Sequence, residues 1–210
     1  MRLPSEFYTL INGIWPILAI FVVSLIAIRI SYLIEHRERF VLYKEFFSLL
    51  FIIYILLLFE LVTNTDVQGV SNNFIPFKEI LRYKIGSKYF IWNVVGNIAI
   101  FIPFGFAVSL YLRSKKAFKP FIIALITSTT IEFVQMFIGR SFDIDDILLN
   151  CIGGLIGYFL YSILSTIEKH LPPVLKTTLI YNILTLVLIA IIIVYCFQYG
   201  GLLFGWSNMK

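Results

Sequence analysis

Glu132 and Gln135 fall in the run Ile-Glu-Phe-Val-Gln, and Arg140, Asp143, Asp145, Asp146 and Asn150 follow them closely. Upstream, Asn93 and Asn97 stand one helical turn apart in Trp-Asn-Val-Val-Gly-Asn, so a helix there would carry both on one face. Carboxylates such as Glu132, Asp143 and Asp146 can serve as general acid or base. Arg140 can hold a phosphate or carboxylate bidentately. Asn93, Asn97, Gln135 and Asn150 are side chains that would orient a bound substrate. The oxygen-rich set Glu132, Asp143, Asp146 and Asn150 could instead hold Mg2+ or Ca2+, which prefer such ligands. No His/Cys cluster of zinc type and no Ser-His pair for acyl transfer is present.

The chain around these residues is apolar. Of its 210 residues 60% are hydrophobic and 14% charged, and the mean hydropathy is +0.91. Soluble domains carry about a quarter charged residues, and disordered tails are poorer in apolar residues still, so both classes are excluded. The net charge of +5 fits scattered juxtamembrane Lys and Arg and does not call for a nucleic-acid partner. Cys151 and Cys196 each lie inside an apolar segment and read as buried thiols, with no disulfide framework. The N-terminal apolar stretch has no small-residue cleavage site and reads as a retained helix.

Six stretches are long and apolar enough to span a bilayer: residues 11–34, 46–62, 90–112, 121–138, 147–167 and 177–199. The expected fold is all-α, a polytopic transmembrane bundle of about six helices forming one membrane domain over residues 1–210, with a long, partly interfacial loop between the second and third helices. The odd-numbered loops hold ten Lys and Arg against seven in the termini and even-numbered loops, which places both termini outside.

The polar residues break the rule that an Asp at the centre of a spanning helix costs roughly 2.5–3.5 kcal/mol. On the fifth helix Asp143, Asp146, Asn150, Gly153 and Gly157 share a stripe about 80° wide, whose Gly-x-x-x-Gly end admits a neighbouring helix closely. Pro103 is expected to kink the third helix. Alternation of helices sends the second and fourth loops to the same membrane face. The ends carrying Asn93 and Asn97, Glu132 and Gln135, and Asp143 to Asn150 therefore converge there into one expected pocket. Each group also has an ordinary reading: asparagines as interhelical glue, Glu132 as a partner of Arg140, the Asp run as a helix N-terminus. Glu60 lies toward the same side but outside the pattern.

At Asn73-Phe-Ile-Pro-Phe77, Asn93-Val-Val-Gly-Asn97, Phe101-Ile-Pro-Phe-Gly105 and Glu132-Phe-Val-Gln135 with Arg140, Asp143, Asp146, Asn150, Gly153 and Gly157, the sequence resembles the VanZ-like family of bacterial membrane proteins. The resemblance covers residues 73–158. It implies a multi-pass protein of the bacterial cell membrane and a link to resistance against teicoplanin, a lipid-bearing glycopeptide antibiotic, and leaves the chemistry open. Whether the chain is an enzyme is likewise open. One reading is an envelope protein whose acidic pocket modifies a lipid-linked or cell-wall component. Another is a non-enzymatic protein that binds or shields an envelope lipid or the antibiotic, using the aromatic and basic second loop on the bilayer interface. Transport is the weaker third, since the polar residues form no chain across the bilayer.

Overall fold

Runs of Ile, Leu and Phe with few interruptions form helices here because, out of water, a helix alone satisfies its own backbone groups. In the computed structural model, which describes residues 5–63 and 72–203 and the side chains of 16–61 and 72–194, the chain is all-helical. The helices are α1 (Ser5–Glu35), α2 (Leu42–Thr63), the one-turn α3 (Lys78–Arg82), α4 (Lys88–Leu112), α5 (Phe118–Phe137), α6 (Ile144–His170) and α7 (Thr178–Leu203). Among the described residues five stretches are long and apolar enough to cross a membrane: Pro16–Glu35, Leu42–Leu61 and the whole of α4, α5 and α6. The sixth expected span falls on α7, a 26-residue helix. It is apolar over its described side chains, Thr178–Val194, and the side chains beyond, Cys196 included, lie outside the described residues.

Local chemistry sets the ends of the helices that matter for the site. Asp143 precedes α6, and its Oδ1 accepts the Asp145 amide at 2.9 Å, an N-cap that moves the start of the helix three residues ahead of the apolar run. Lys169 stands in the last turn, where its positive charge meets the negative end of the helix dipole. After α5, Gly139 takes φ 88, a left-handed conformation that lets the chain turn sharply into Arg140. The first part of α4, Ile91–Val95, is wound as a π turn, and the helix continues through Pro103.

The protein forms two compact units. One comprises α1, α2 as far as Leu61, and α7. Within it Arg29 makes a bidentate bond to Glu45, at 2.8 and 3.0 Å, and the Tyr43 amide reaches Asn182 Oδ1 at 3.2 Å. The other is Val62–His170, and it carries every candidate site residue.

In that unit α4 and α6 run parallel, with α5 antiparallel to α6. Asn97 meets Asp146, Ile98 faces Gly153, and Ile102 and Phe106 face Gly157, so both helices advance together. Ala124 faces Gly154, Ser128 meets Asn150, and Glu132 meets the Asp143 amide, so α5 runs the other way. A side chain at Gly153 would collide with the Ile98 carbonyl, at Gly157 with the Ile102 carbonyl, and at Gly105 with the Gly154 backbone. Backbone lies on backbone there, an approach that only glycine permits and that weak Cα–H···O contacts favour. Phe101 and Ala124 are almost fully buried beside this contact, and Phe142, Ile147 and Cys151 form a small core with Phe121, Leu125 and Met136.

Gly153→Leu or Gly157→Leu should lower stability by at least the ~1–3 kcal/mol typical of overpacking, because the obstacle is backbone. Leu at Ile152 or Ile156, both exposed, should be nearly neutral. Thermal unfolding and the monodisperse fraction in detergent read both effects, and equal damage at all four positions would contradict this packing.

Candidate functional site

Three backbone corners meet at the start of α6. Asn73 pairs with residues 142 and 144 as a short parallel bridge: its amide donates to the Phe142 carbonyl at 2.8 Å, and its carbonyl accepts from the Ile144 amide at 3.1 Å. Asn72 Oδ1 accepts the Phe142 amide at 2.9 Å, and the Phe74 ring stacks on Phe142 at 5.2 Å. The segment before α3 and the loop before α6 are thus joined directly.

The three aspartates of one short run each take a different partner. Asp143 Oδ1 accepts from Asn73 Nδ2 at 2.8 Å in addition to capping α6. Asp145 is buried, and its carboxylate accepts the amides of Phe77, Glu79 and Ile80, the latter two at 2.8 and 3.2 Å. That one carboxylate caps α3 from another helix. It also holds Phe77 at φ 66, a left-handed conformation costing a side-chain-bearing residue about 1–2 kcal/mol. Asp146 Oδ1 accepts from Asn97 Nδ2 of α4.

Glu132, only 2% exposed, approaches from α5, and its Oε2 accepts the Asp143 amide at 2.8 Å. The Gln135 amide satisfies both its neighbours in one orientation: its nitrogen donates to Glu132 Oε1 at 2.9 Å, and its oxygen accepts from Arg140 Nη1 at 2.9 Å. Gln135 therefore stands between the carboxylate and the guanidinium and is hydrogen-bonded to both. Asp146 lies in the electrostatic reach of Glu132, Asp143, Arg140 and Asp145. Among the described residues no buried side-chain polar atom lacks a hydrogen-bond partner.

Asn97, Glu132, Gln135, Arg140, Asp143 and Asp146 are therefore brought together at one end of the α4–α6 unit. Asn150 lies one turn deeper, bonded to buried Ser128 Oγ at 2.9 Å, and links α6 to α5. Asn93 does not join them: it is exposed and donates to the Tyr89 carbonyl of its own helix at 3.0 Å. The π turn at Ile91–Val95 re-phases the helix between Asn93 and Asn97, which the regular 100° step does not anticipate. Among the described residues no group of three or more His, Cys, Asp or Glu side chains is placed to hold a metal ion. Glu132, Asp143 and Asp146 are each engaged with backbone or asparagine amides instead.

Asn73, Asp145 and Ser128 were not among the residues singled out for chemistry. For Asn73 the signal was present: Asn-Phe-Ile-Pro is a turn sequence, and Asn73 Oδ1 does accept the Ile75 amide at 3.2 Å. Asp145 carried only the generic signature of an acidic first helical turn. Ser128 sits in a Thr-Ser-Thr-Thr run that gives no reason to prefer one hydroxyl.

A parallel helix pair packed through glycine, with carboxylates and amides gathered at one end, defines the chain as a helical-bundle membrane protein with a polar terminal cluster. The VanZ/LLP1 family model matches residues 46–165, more than half of the sequence. The chain belongs to that family. It is 25% identical over 145 residues to Protein VanZ of Enterococcus faecium, a match covering 69% of this chain and 84% of that protein. No solved structure matches it significantly.

Two outcomes test this geometry. Asp145→Ala removes the acceptor of three amides, and hydrogen bonds to a charged group are worth about 1.5–3 kcal/mol each. Hydrogen exchange at Phe77, Glu79 and Ile80 should accelerate at least tenfold while the amides within α5 are unchanged. Asp143, outside the spans, has its carboxyl raised above the ordinary 3.8 by loss of water and by the negative charges of Asp145 and Glu79, against the lowering pull of the Asp145 amide and Asn73. A carboxyl raised on folding binds protons more tightly in the folded state. Its contribution is present at low pH and is lost as pH rises through the raised value. Asp143→Asn keeps an oxygen for both donors, so it should be the more stable protein near neutral pH, with the advantage vanishing toward pH 3.8. Thermal unfolding across pH measures this, and a pH-independent difference would refute it.

Proposed function

We propose that this chain is a multi-pass protein of the bacterial cell membrane that acts at the cell envelope on a lipid-linked or cell-wall component, through the polar cluster at the end of α4, α5 and α6. The observation that carries the reading is the convergence of Glu132, Gln135, Arg140, Asp143, Asp146 and Asn97 from three helices and two loops. In this reading Glu132 and Asp146 exchange protons with the substrate, and Arg140 holds its anionic group. Asn97 and Gln135 fix the orientation of the two carboxylates, and Asp143 ties the α6 end to Asn73. The Lys/Arg distribution favours an outer-face position for this end, where envelope substrates are reached. Family membership supports a phenotype of resistance to teicoplanin-like antibiotics. The exposed Phe74 and Phe77 favour the second reading, a protein that binds or shields the antibiotic or a lipid without turnover.

Envelope lipids and muropeptides should be compared between cells carrying the wild type, Asp146→Asn and Glu132→Gln at matched protein abundance. Asp146→Asn keeps an oxygen acceptor for Asn97 and Glu132→Gln keeps one for the Asp143 amide, while each removes a charge. Both should lose at least tenfold of any product, and EDTA or added Mg2+ or Ca2+ should leave the product yield unchanged. Protection with unaltered covalent structure would make the chain a shield, and activity that tracks abundance alone would make the cluster purely structural.

A further inference from the structure

The segment from Phe74 to Trp92 combines two properties that the polar cluster does not use. Its apolar side chains point outward: Leu81 and Ile85 are 81% and 83% exposed, and Phe74, Phe77, Tyr89 and Trp92 are each more than half exposed. Interleaved with them are the exposed Lys78, Arg82, Lys84 and Lys88, against one acidic residue, Glu79, which pairs with Arg82 at 3.2 Å. The one-turn helix α3 buries none of its residues. Ordinarily such a segment would fold its apolar groups inward. Here the backbone is pinned by the Asp145 carboxylate at Phe77, Glu79 and Ile80 and by the Asn73 bridge, so the outward presentation is fixed by the fold.

The segment also runs into the α4 span, which begins at Lys88, and Tyr89 and Trp92 stand in its first turns. Tyr and Trp at a span boundary occupy the headgroup level, and Lys and Arg beside them attract anionic lipids.

We propose that residues 74–92 form a binding surface for anionic phospholipid headgroups, with the apolar side chains inserted at the headgroup–acyl boundary and Lys78, Lys84 and Lys88 holding the phosphates. Arg82 contributes less, being engaged by Glu79. The proposal does not depend on the proton-transfer reading of Glu132 and Asp146. It fixes the level of the neighbouring cluster at the headgroup plane of the bilayer.

Trp92 is the reporter. The full-length protein with Trp15→Phe and Trp206→Phe is reconstituted into phosphatidylcholine vesicles containing 30% of 6,7-dibrominated phosphatidylglycerol, or the same fraction of dibrominated phosphatidylcholine. The brominated phosphatidylglycerol should quench Trp92 at least twofold more strongly. Lys84→Gln with Lys88→Gln, both exposed changes, should abolish that preference while leaving the thermal unfolding temperature unchanged. Equal quenching by the two lipids, or quenching by neither, overturns the proposal. So does loss of the preference on adding inorganic phosphate but not sodium chloride of equal ionic strength, which would mark the basic side chains as holding a soluble anion.

Discussion

The contact of α4 with α6 through bare backbone is the constraint from which the rest of this unit follows. Gly153 and Gly157 present no side chain to the Ile98 and Ile102 carbonyls, and Gly105 presents none to Gly154. In a bilayer there is no hydrophobic gain in removing Leu from lipid, so helices associate where backbones can approach and dispersion contacts accumulate. Because the two helices are parallel, this contact also sets their N-terminal ends side by side. Asn97 and Asp146 meet because the glycines two and three turns further along α6 allow it.

That juxtaposition creates a problem that the loops then solve. Four carboxylates, Glu132, Asp143, Asp145 and Asp146, are partly or wholly withdrawn from water in a small volume. An unpaired buried charge costs several kcal/mol, so each must be given donors. The chain supplies them from unused backbone amides: that of residue 143 for Glu132, those of residues 77, 79 and 80 for Asp145, and that of residue 145 for Asp143. Amide side chains of Asn73, Asn97 and Gln135 complete the set. The consequence is mechanical as well as electrostatic. The α3 segment is held against α6 by charge-assisted bonds, and an aromatic residue is kept in a left-handed conformation because three amides are tied to one carboxylate.

For function, the arrangement separates two kinds of acidic residue. Asp145 is saturated by the backbone and serves position. Glu132 and Asp146 each take a side-chain amide, which can rotate, and Gln135 links Glu132, itself also bonded to the Asp143 amide, to the Arg140 guanidinium. Groups of the second kind can change partners without unfolding the chain, as a residue that handles a proton or an anionic substrate must. The exposed aromatic–basic segment lies beside the cluster in sequence and is tied to it through Asp145.

Helix class, approximate spans and the glycine stripe were legible in the sequence because they depend on periodicity and apolar content, which are local. The convergence of Asn97, Glu132, Gln135 and the Asp143–Asp146 run was legible as well, because alternation of spans forces the second and fourth loops to one face whatever the packing detail. Which aspartate does what was not. Asp143, Asp145 and Asp146 are chemically alike within four positions, and only the rotation of α6 against α4 and the course of residues 73–80 turn one toward Asn97, one toward Asn73 and one toward the α3 amides. The same holds for Asn93, whose place on a regular helix is altered by the π turn at Ile91–Val95, and for Ser128, chosen from among equivalent hydroxyls by its level opposite Asn150. Periodicity states which residues share a face; the rotation and depth of each helix, set by where glycines let backbones touch, decide which partner that face meets.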